Sequence, residues 1–327
     1  MSLSSHALRN QALEAATILE DGRPWQRYME GEIWGIPSGS AALPWICTFF
    51  DRPGGARGIM AFKGWRAWEQ YEEMYQNEPD ASLGDFAPYL LDGLIAIWNP
   101  QDGWPEQGDR NPHFFRLKWA HVPVEPSESE LKSLQRILHI LARLPEEDEE
   151  DSGQFITVAY RPSIPFVVRS GGKGPVSLTT AMRPNPSGEG FWNPVHKVLL
   201  RSRFASMPRR TGENWIVELF PFPKTDSSKG EATTHPVIGV VVDGNSGRLI
   251  RSFRLKPNKT FGSQLEEHLT QIWIDRQVLP ERLLANSYVA YGWFAPLARE
   301  ANLPIDREGP SQLIAELKDK LFFTLSI

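Results

Sequence analysis

The stretch from His235 to Lys256, H-P-V-I-G-V-V-V-D-G-N-S-G-R-L-I-R-S-F-R-L-K, constrains the fold more than any other part of the chain. Val237, Ile238, Val240, Val241 and Val242 form a nearly continuous β-branched run, which suits an interior strand covered on both faces. Gly239, the crowding of branched side chains and the shortness of the run all oppose a helix. Asp243-Gly244-Asn245-Ser246-Gly247 concentrates residues that accept positive φ or bond their own backbone, so the chain reverses there. It returns from Arg248 to Lys256 as a half-exposed strand. Leu249, Phe253 and Leu255 fall on one side, while Ile250, Ser252, Arg254 and Lys256 fall on the other. Arg251 interrupts the alternation from the apolar side.

Beyond this ribbon the chain alternates helices with short extended segments. Ahead of it, residues His6 to Glu20 read as a helix with a thin apolar face. Strands are expected at Glu32 to Ile36, Trp45 to Asp51, Gly58 to Phe62, Asp92 to Trp98 and His113 to His121. A helix from Trp65 to Gln76 carries Trp68, Tyr71 and Tyr75 at helical spacing, the pattern of a core face. Ser127 and Glu130 make a capping box after Pro126, and Leu131, Leu134, Leu138 and Leu141 follow as a stripe. Further strands are expected at Phe155 to Tyr160, Phe166 to Arg169 and Trp215 to Phe220, with a helix opening at Asn193-Pro194. After the ribbon come a helix on Leu265, Leu269, Ile272 and Trp273, and an extended segment at Arg282 to Ser287. A helix from Val289 to Ala301, a brief extended point at Ile305 and a final helix on Leu313, Ile314, Leu317 and Leu321 complete the order.

The length of 327 residues fits two domains. Glu146-Glu147-Asp148-Glu149-Glu150-Asp151 is a self-repelling acidic block without the glycine and spacing of a calcium loop. It is read as a linker over 146–154, between an N-terminal α+β domain (1–145) and a C-terminal α/β domain (155–327). The fold class expected is α+β, the C-terminal domain holding a mixed sheet with helices. A hydrophobic content of 41% supports real cores, and a net charge of −5 argues against a general nucleic-acid binder. The single cysteine, Cys47, lies in an apolar strand and excludes intrachain disulfides and thiolate metal cages. With no apolar run of membrane-spanning length and no signal-peptide core, the location expected is the cytoplasm.

Chemistry-bearing motifs are scarce. Ser170-Gly171-Gly172-Lys173-Gly174 lacks phosphate-loop spacing, and no nucleophile elbow, dinucleotide fingerprint or H-E-x-x-H occurs. Arg248, Arg251, Arg254, Lys256 and Lys259, with Arg201, Arg203, Arg209 and Arg210, are the best basic clusters. They fit solvated faces better than a phosphate site.

Two resemblances stand on residues already quoted. The aromatic strand pair, Phe114-Phe115-Arg116, the Pro-Ser-x-x-Glu leucine helix, His235-Pro236 and the Val-rich strand with Asp243 and Ser246-Gly247 resemble an uncharacterised bacterial two-domain family without assigned activity. From Pro236 to about Lys320, the order of strands and helices resembles part of the ribonuclease H-like fold of nucleases and integrases. That resemblance places Asp243 where the first metal-binding carboxylate would stand, Asn286 where a second acid is expected, and Glu316 on the last helix as the third. Asp243, Asn286 and Glu316 are therefore the residues that would carry binding. Asp243 reads more directly as a turn former before Gly244, since Asp at a strand end is common turn chemistry. One acid and one amide make a poor cage for two-metal phosphoryl chemistry, and a third strand between Lys256 and Phe261 is missing. The expectation is a non-enzymatic binding or interaction protein, with no cofactor, no metal and no membrane; its partner is unknown, with nucleic acid disfavoured and a protein left open. The alternative is a metal-dependent nuclease-like or nucleic-acid-binding protein.

Overall fold

The computed structural model describes residues 5–26, 28, 33–37, 43–51, 56–65, 67–69, 71, 90–99, 112–144, 163–168, 177–182, 194, 197–204, 206–227, 233–309 and 311–326. The chain divides into two compact units, Met1–Pro186 and Ser187–Ile327. Among the described residues the class is α+β, with two sheets and helices packed against them.

The first unit is built on a seven-stranded sheet. Strands β1 (Ile33–Ile36), β2 (Trp45–Asp51), β3 (Arg57–Lys63), β4 (Gly93–Trp98) and β5 (His113–Leu117) form an antiparallel meander. Strand β6 (Ser163–Val168) adds in parallel to the free edge of β1, and β7 (Ser177–Met182) pairs antiparallel with β6. Alternate side chains feed two different cores, as the twofold period of a strand requires. Trp34, Cys47, Phe49, Ile59, Ala61, Leu94 and Phe114 face α1 (Ser5–Asp21) and α2 (Glu128–Leu141). Ile46, Phe50, Met60, Phe62, Ile95, Ile97 and Phe115 face the other way, onto Trp68 and Tyr71. Trp65, Ala67, Trp68, Glu69 and Tyr71 are helical, and the remaining residues of the helix expected to Gln76 lie outside the described residues. The capping box forms as the sequence requires. The Glu130 N–H donates to the Ser127 hydroxyl, and the Ser127 N–H donates to the Glu130 carboxylate at 2.8 Å.

The sequence reading assigns everything from 155 onward to the second domain. In the structure β6 and β7 pair with the first sheet, because β1 leaves one edge open to them. The acidic block and the strand expected at Phe155 to Tyr160 lie outside the described residues.

The second unit holds α3 (Lys197–Phe204) and five strands: β8 (Arg209–Pro221), β9 (Val237–Asp243), β10 (Leu249–Leu255), β11 (Leu279–Ala285) and β12 (Ile305–Arg307). Helices α4 (Phe261–Arg276), α5 (Tyr288–Glu300) and α6 (Gln312–Ser326) follow β10, β11 and β12 in turn. The strand order is β10-β9-β8-β11-β12. β9 pairs antiparallel with both β10 and β8, whereas β11 runs parallel to β8 and β12 parallel to β11. The Val-rich run is interior, as expected, yet the middle of the sheet is β8. Sequence reading takes Trp215 to Phe220 as a short strand; it is the core of a thirteen-residue one.

The β9–β10 ribbon explains its own irregularities. Phe253 stands opposite Gly239, and a Cβ at that glycine would meet the Phe253 ring at 2.2 Å, so the missing side chain makes room for the aromatic ring. The register shifts between Leu249 and Arg251, and the Arg251 guanidinium reaches Asp275 on α4 at 3.5 Å. The arginine on the apolar side thus has an acidic partner.

Candidate functional site

The middle strand carries a carboxylate where its neighbours are apolar. Glu218 is 1% exposed and falls in phase with Ile216 and Phe220, on the sheet face that α6 covers. Each of its close neighbours donates to it. The Asn286 side-chain amide donates to Oε2 at 2.5 Å, the Ser287 hydroxyl to Oε1 at 2.6 Å, and the Leu219 N–H to Oε1 at 2.7 Å. The Lys318 ammonium from α6 stands 3.9 Å from Oε2 and 5.1 Å from the Phe220 ring centre.

Strand register and helix capping bring these groups together. β11 runs parallel to β8 with Ala285 beside Val217, so Asn286 emerges at the level of Glu218, and its N–H donates to the Val217 carbonyl at 3.1 Å. Ser287 is the N-cap of α5, its hydroxyl accepting from the Ala290 N–H while donating to Glu218. The Asn286 side-chain Oδ1 accepts the Ser311 N–H at 2.7 Å, just before α6 begins. Lys318 lies four residues after Ile314 and four before Phe322, hence on the helix face that meets the sheet.

The three residues proposed from sequence are not brought together. Asp243 ends β9 beside Trp215, on the opposite side of β8 from β11. That puts it two strands from Asn286, about 10 Å across the sheet. Its carboxylate is occupied by the turn: Oδ1 accepts the Asn245 N–H at 2.9 Å and Oδ2 accepts the Ser246 hydroxyl at 2.8 Å. The Ser246 hydroxyl, then the Asn245 N–H, hold its pKa below the ordinary aspartate value. Glu316 is exposed on α6 and accepts from the Gln312 side chain at 3.1 Å. Asn286 alone of the three reaches the buried cluster. Glu218, Ser287 and Lys318 were missed. The signals available were an acid in the middle of W-I-V-E-L-F and a lysine at core spacing on the last helix.

Several arginines of the basic clusters have acidic partners. Arg201 pairs with Glu300 at 2.5 Å, Arg210 with Glu213 at 3.0 Å and Arg254 with Asp226 at 2.6 Å, while Arg209 donates to the Asn302 carbonyl. Arg276 approaches Glu213 at 3.4 Å and lies over the Trp215 ring. Cys47 is buried in β2, and burial pushes its thiol pKa up, away from reactivity. Among the described residues, no group of three or more His, Cys, Asp or Glu side chains is placed to hold a metal ion. No described helix is long and apolar enough to cross a membrane.

Residues 200–322 match a family model described as Domain of unknown function (DUF6930). The match spans β8 to β12 and most of α6, so Glu218 and Lys318 both lie within it. Neither the curated proteins nor the solved structures contain a match to the chain.

Proposed function

We propose that the second unit is a degenerate ribonuclease H-like domain of an uncharacterised bacterial family, and that the protein is a cytoplasmic, non-enzymatic binding or interaction module. What supports the fold reading is the strand order. β8, β9 and β10 form an antiparallel meander, and β11 and β12 add in parallel on the far side of β8, with helices after β10, β11 and β12. Taking β8 as the first strand removes the gap that the sequence leaves when counting starts at Val237. The first-strand acid is then Glu218, the residue after the fourth strand is Asn286, and the last helix contributes Lys318.

The observation that carries the functional reading is the ammonium 3.9 Å from the Glu218 carboxylate, beside the Asn286 amide. Two-metal phosphoryl transfer needs several carboxylates on one face to hold its cations. Here one acid is joined by an amide, a hydroxyl and a fixed positive charge, which suits a structural or recognition role. Arg201, Arg210, Arg251 and Arg254 each pair with an acid, which leaves less unneutralised charge for a phosphate backbone and favours a protein partner.

A nuclease assay tests this. The purified chain is incubated with single-stranded DNA, duplex DNA, RNA and an RNA–DNA hybrid, with Mg²⁺ or Mn²⁺. The expected result is no cleavage above the level of a Glu218→Gln variant. Divalent-dependent cleavage that disappears in Glu218→Gln would overturn the proposal.

A further inference from the structure

Helix α6 is bound to its sheet differently from α4 and α5. On α4, Phe261, Leu265, Leu269, Ile272 and Trp273 are all buried, and on α5 Phe294 and Leu297 are fully so. Among the described side chains of α6, Ile314 alone is fully buried. Leu313, Leu317, Leu321 and Phe322 are partly covered, and Phe323 is 73% exposed. Partial burial gives each of these side chains only part of the free energy that a core leucine contributes.

What α6 lacks in apolar burial it makes up in polar contacts, and both of these lead to one residue. Near its start the Ser311 N–H donates to Asn286, whose amide donates to Glu218. In its second turn Lys318, itself 32% exposed, places its ammonium against the same Glu218 oxygen. The tether to β12 is short and includes Gly309 at φ +86°, a conformation that most residues avoid.

We infer that α6 is a hinged cover that opens as a unit over β8, and that the Lys318–Glu218 pair sets how often it opens. Opening admits water to Glu218, so the carboxylate exchanges an ammonium for hydration and is not stranded in an apolar site. This makes release of the whole helix far cheaper than loss of Lys318 with the helix still closed, which leaves a buried carboxylate without its counter-charge. Elements with few fully buried side chains are the ones that open below the global unfolding transition. Opening uncovers an apolar strip, Ile216, Phe220, Ile238 and Val240, centred on one acid. This inference concerns motion and stands whether or not the chain cleaves nucleic acid.

Hydrogen–deuterium exchange on the intact chain, read by mass spectrometry of its peptides, tests it. Amides of residues 313–326 are expected to exchange at least about tenfold faster than those within α4 and α5. Lys318→Ala is expected to speed exchange in α6 about tenfold further and leave α4 unchanged. In a Glu218→Gln background the same substitution is expected to change α6 little, because the charge it served is gone. Protection of α6 equal to that of α4 and α5 in the unsubstituted chain overturns the inference, whatever the variants do. Uniform acceleration across all three helices in Lys318→Ala overturns the role given to the pair.

Discussion

The two faces of the second sheet are built from the same strands but held by different physics. On one face, Trp215, Val217, Leu219, Val237 and Val241 are buried in phase with one another, and α4 and α5 pack there with fully buried side chains. Aromatic contacts tighten this side: Phe204 meets Trp273 at 4.8 Å and Phe261 meets Trp293 at 4.4 Å. On the other face, among the described residues, α6 lies over Ile216, Phe220, Ile238 and Val240, with Glu218 among them. The first face is secured by area and packing, the second by a thinner apolar seam and a polar network. One sheet can thus carry a permanent side and an adjustable one.

The largest effect expected is on the packed face. Trp273→Ala removes a buried indole and should destabilise the unit by about 3–5 kcal/mol in chemical denaturation. Leu317→Ala on α6 removes a partly buried side chain and should cost about 1–2 kcal/mol. The contrast between the faces is broken if these two losses prove equal. The smallest effect belongs to the β9–β10 turn, which serves neither face. Asp243 has a lowered pKa in the folded chain, so its contribution is fully present above the ordinary aspartate value of about 3.9. It is lost as pH falls through the lower folded value. Asp243→Asn should therefore flatten a shallow acid-side fall in stability, measured by denaturation between about pH 5 and about pH 2. A steep fall removed by that substitution would place Asp243 among the main supports of the sheet.

Much of this was legible from local pattern. Ser127 and Glu130 announce the start of α2, Gly239 and the valines fix β9, and the Asp243 to Gly247 run fixes the reversal after it. These features depend on neighbours in sequence, where propensity and side-chain period speak directly. What was not legible depends on pairing at a distance. Nothing in Trp215 to Phe220 says that this strand takes the middle of the sheet with β11 parallel beside it. A count that starts at the Val-rich run therefore differs from one that starts at β8. Counting from Val237 points to Asp243, whereas counting from β8 points to Glu218. Asn286 survives either count because it follows β11 in both. Lys318 was visible as a lysine at core spacing, but its meaning required knowing which acid lay under the helix. The span of β8 was also hidden, since its first residues, Arg209 to Gly212, show no apolar alternation, and β11 pairs with Arg209 and Arg210 there.

The position of Glu218 has a consequence for how the chain is made. Strand β8 leaves the ribosome well before α6, and at about 5–20 residues per second the face awaiting that helix stays bare for several seconds. A segment reading Trp-Ile-Val-Leu-Phe without interruption would be an adhesive patch on an unfinished molecule. The acid in its centre keeps the naked strand wetted and poorly suited to stacking on another nascent copy until its own helix arrives.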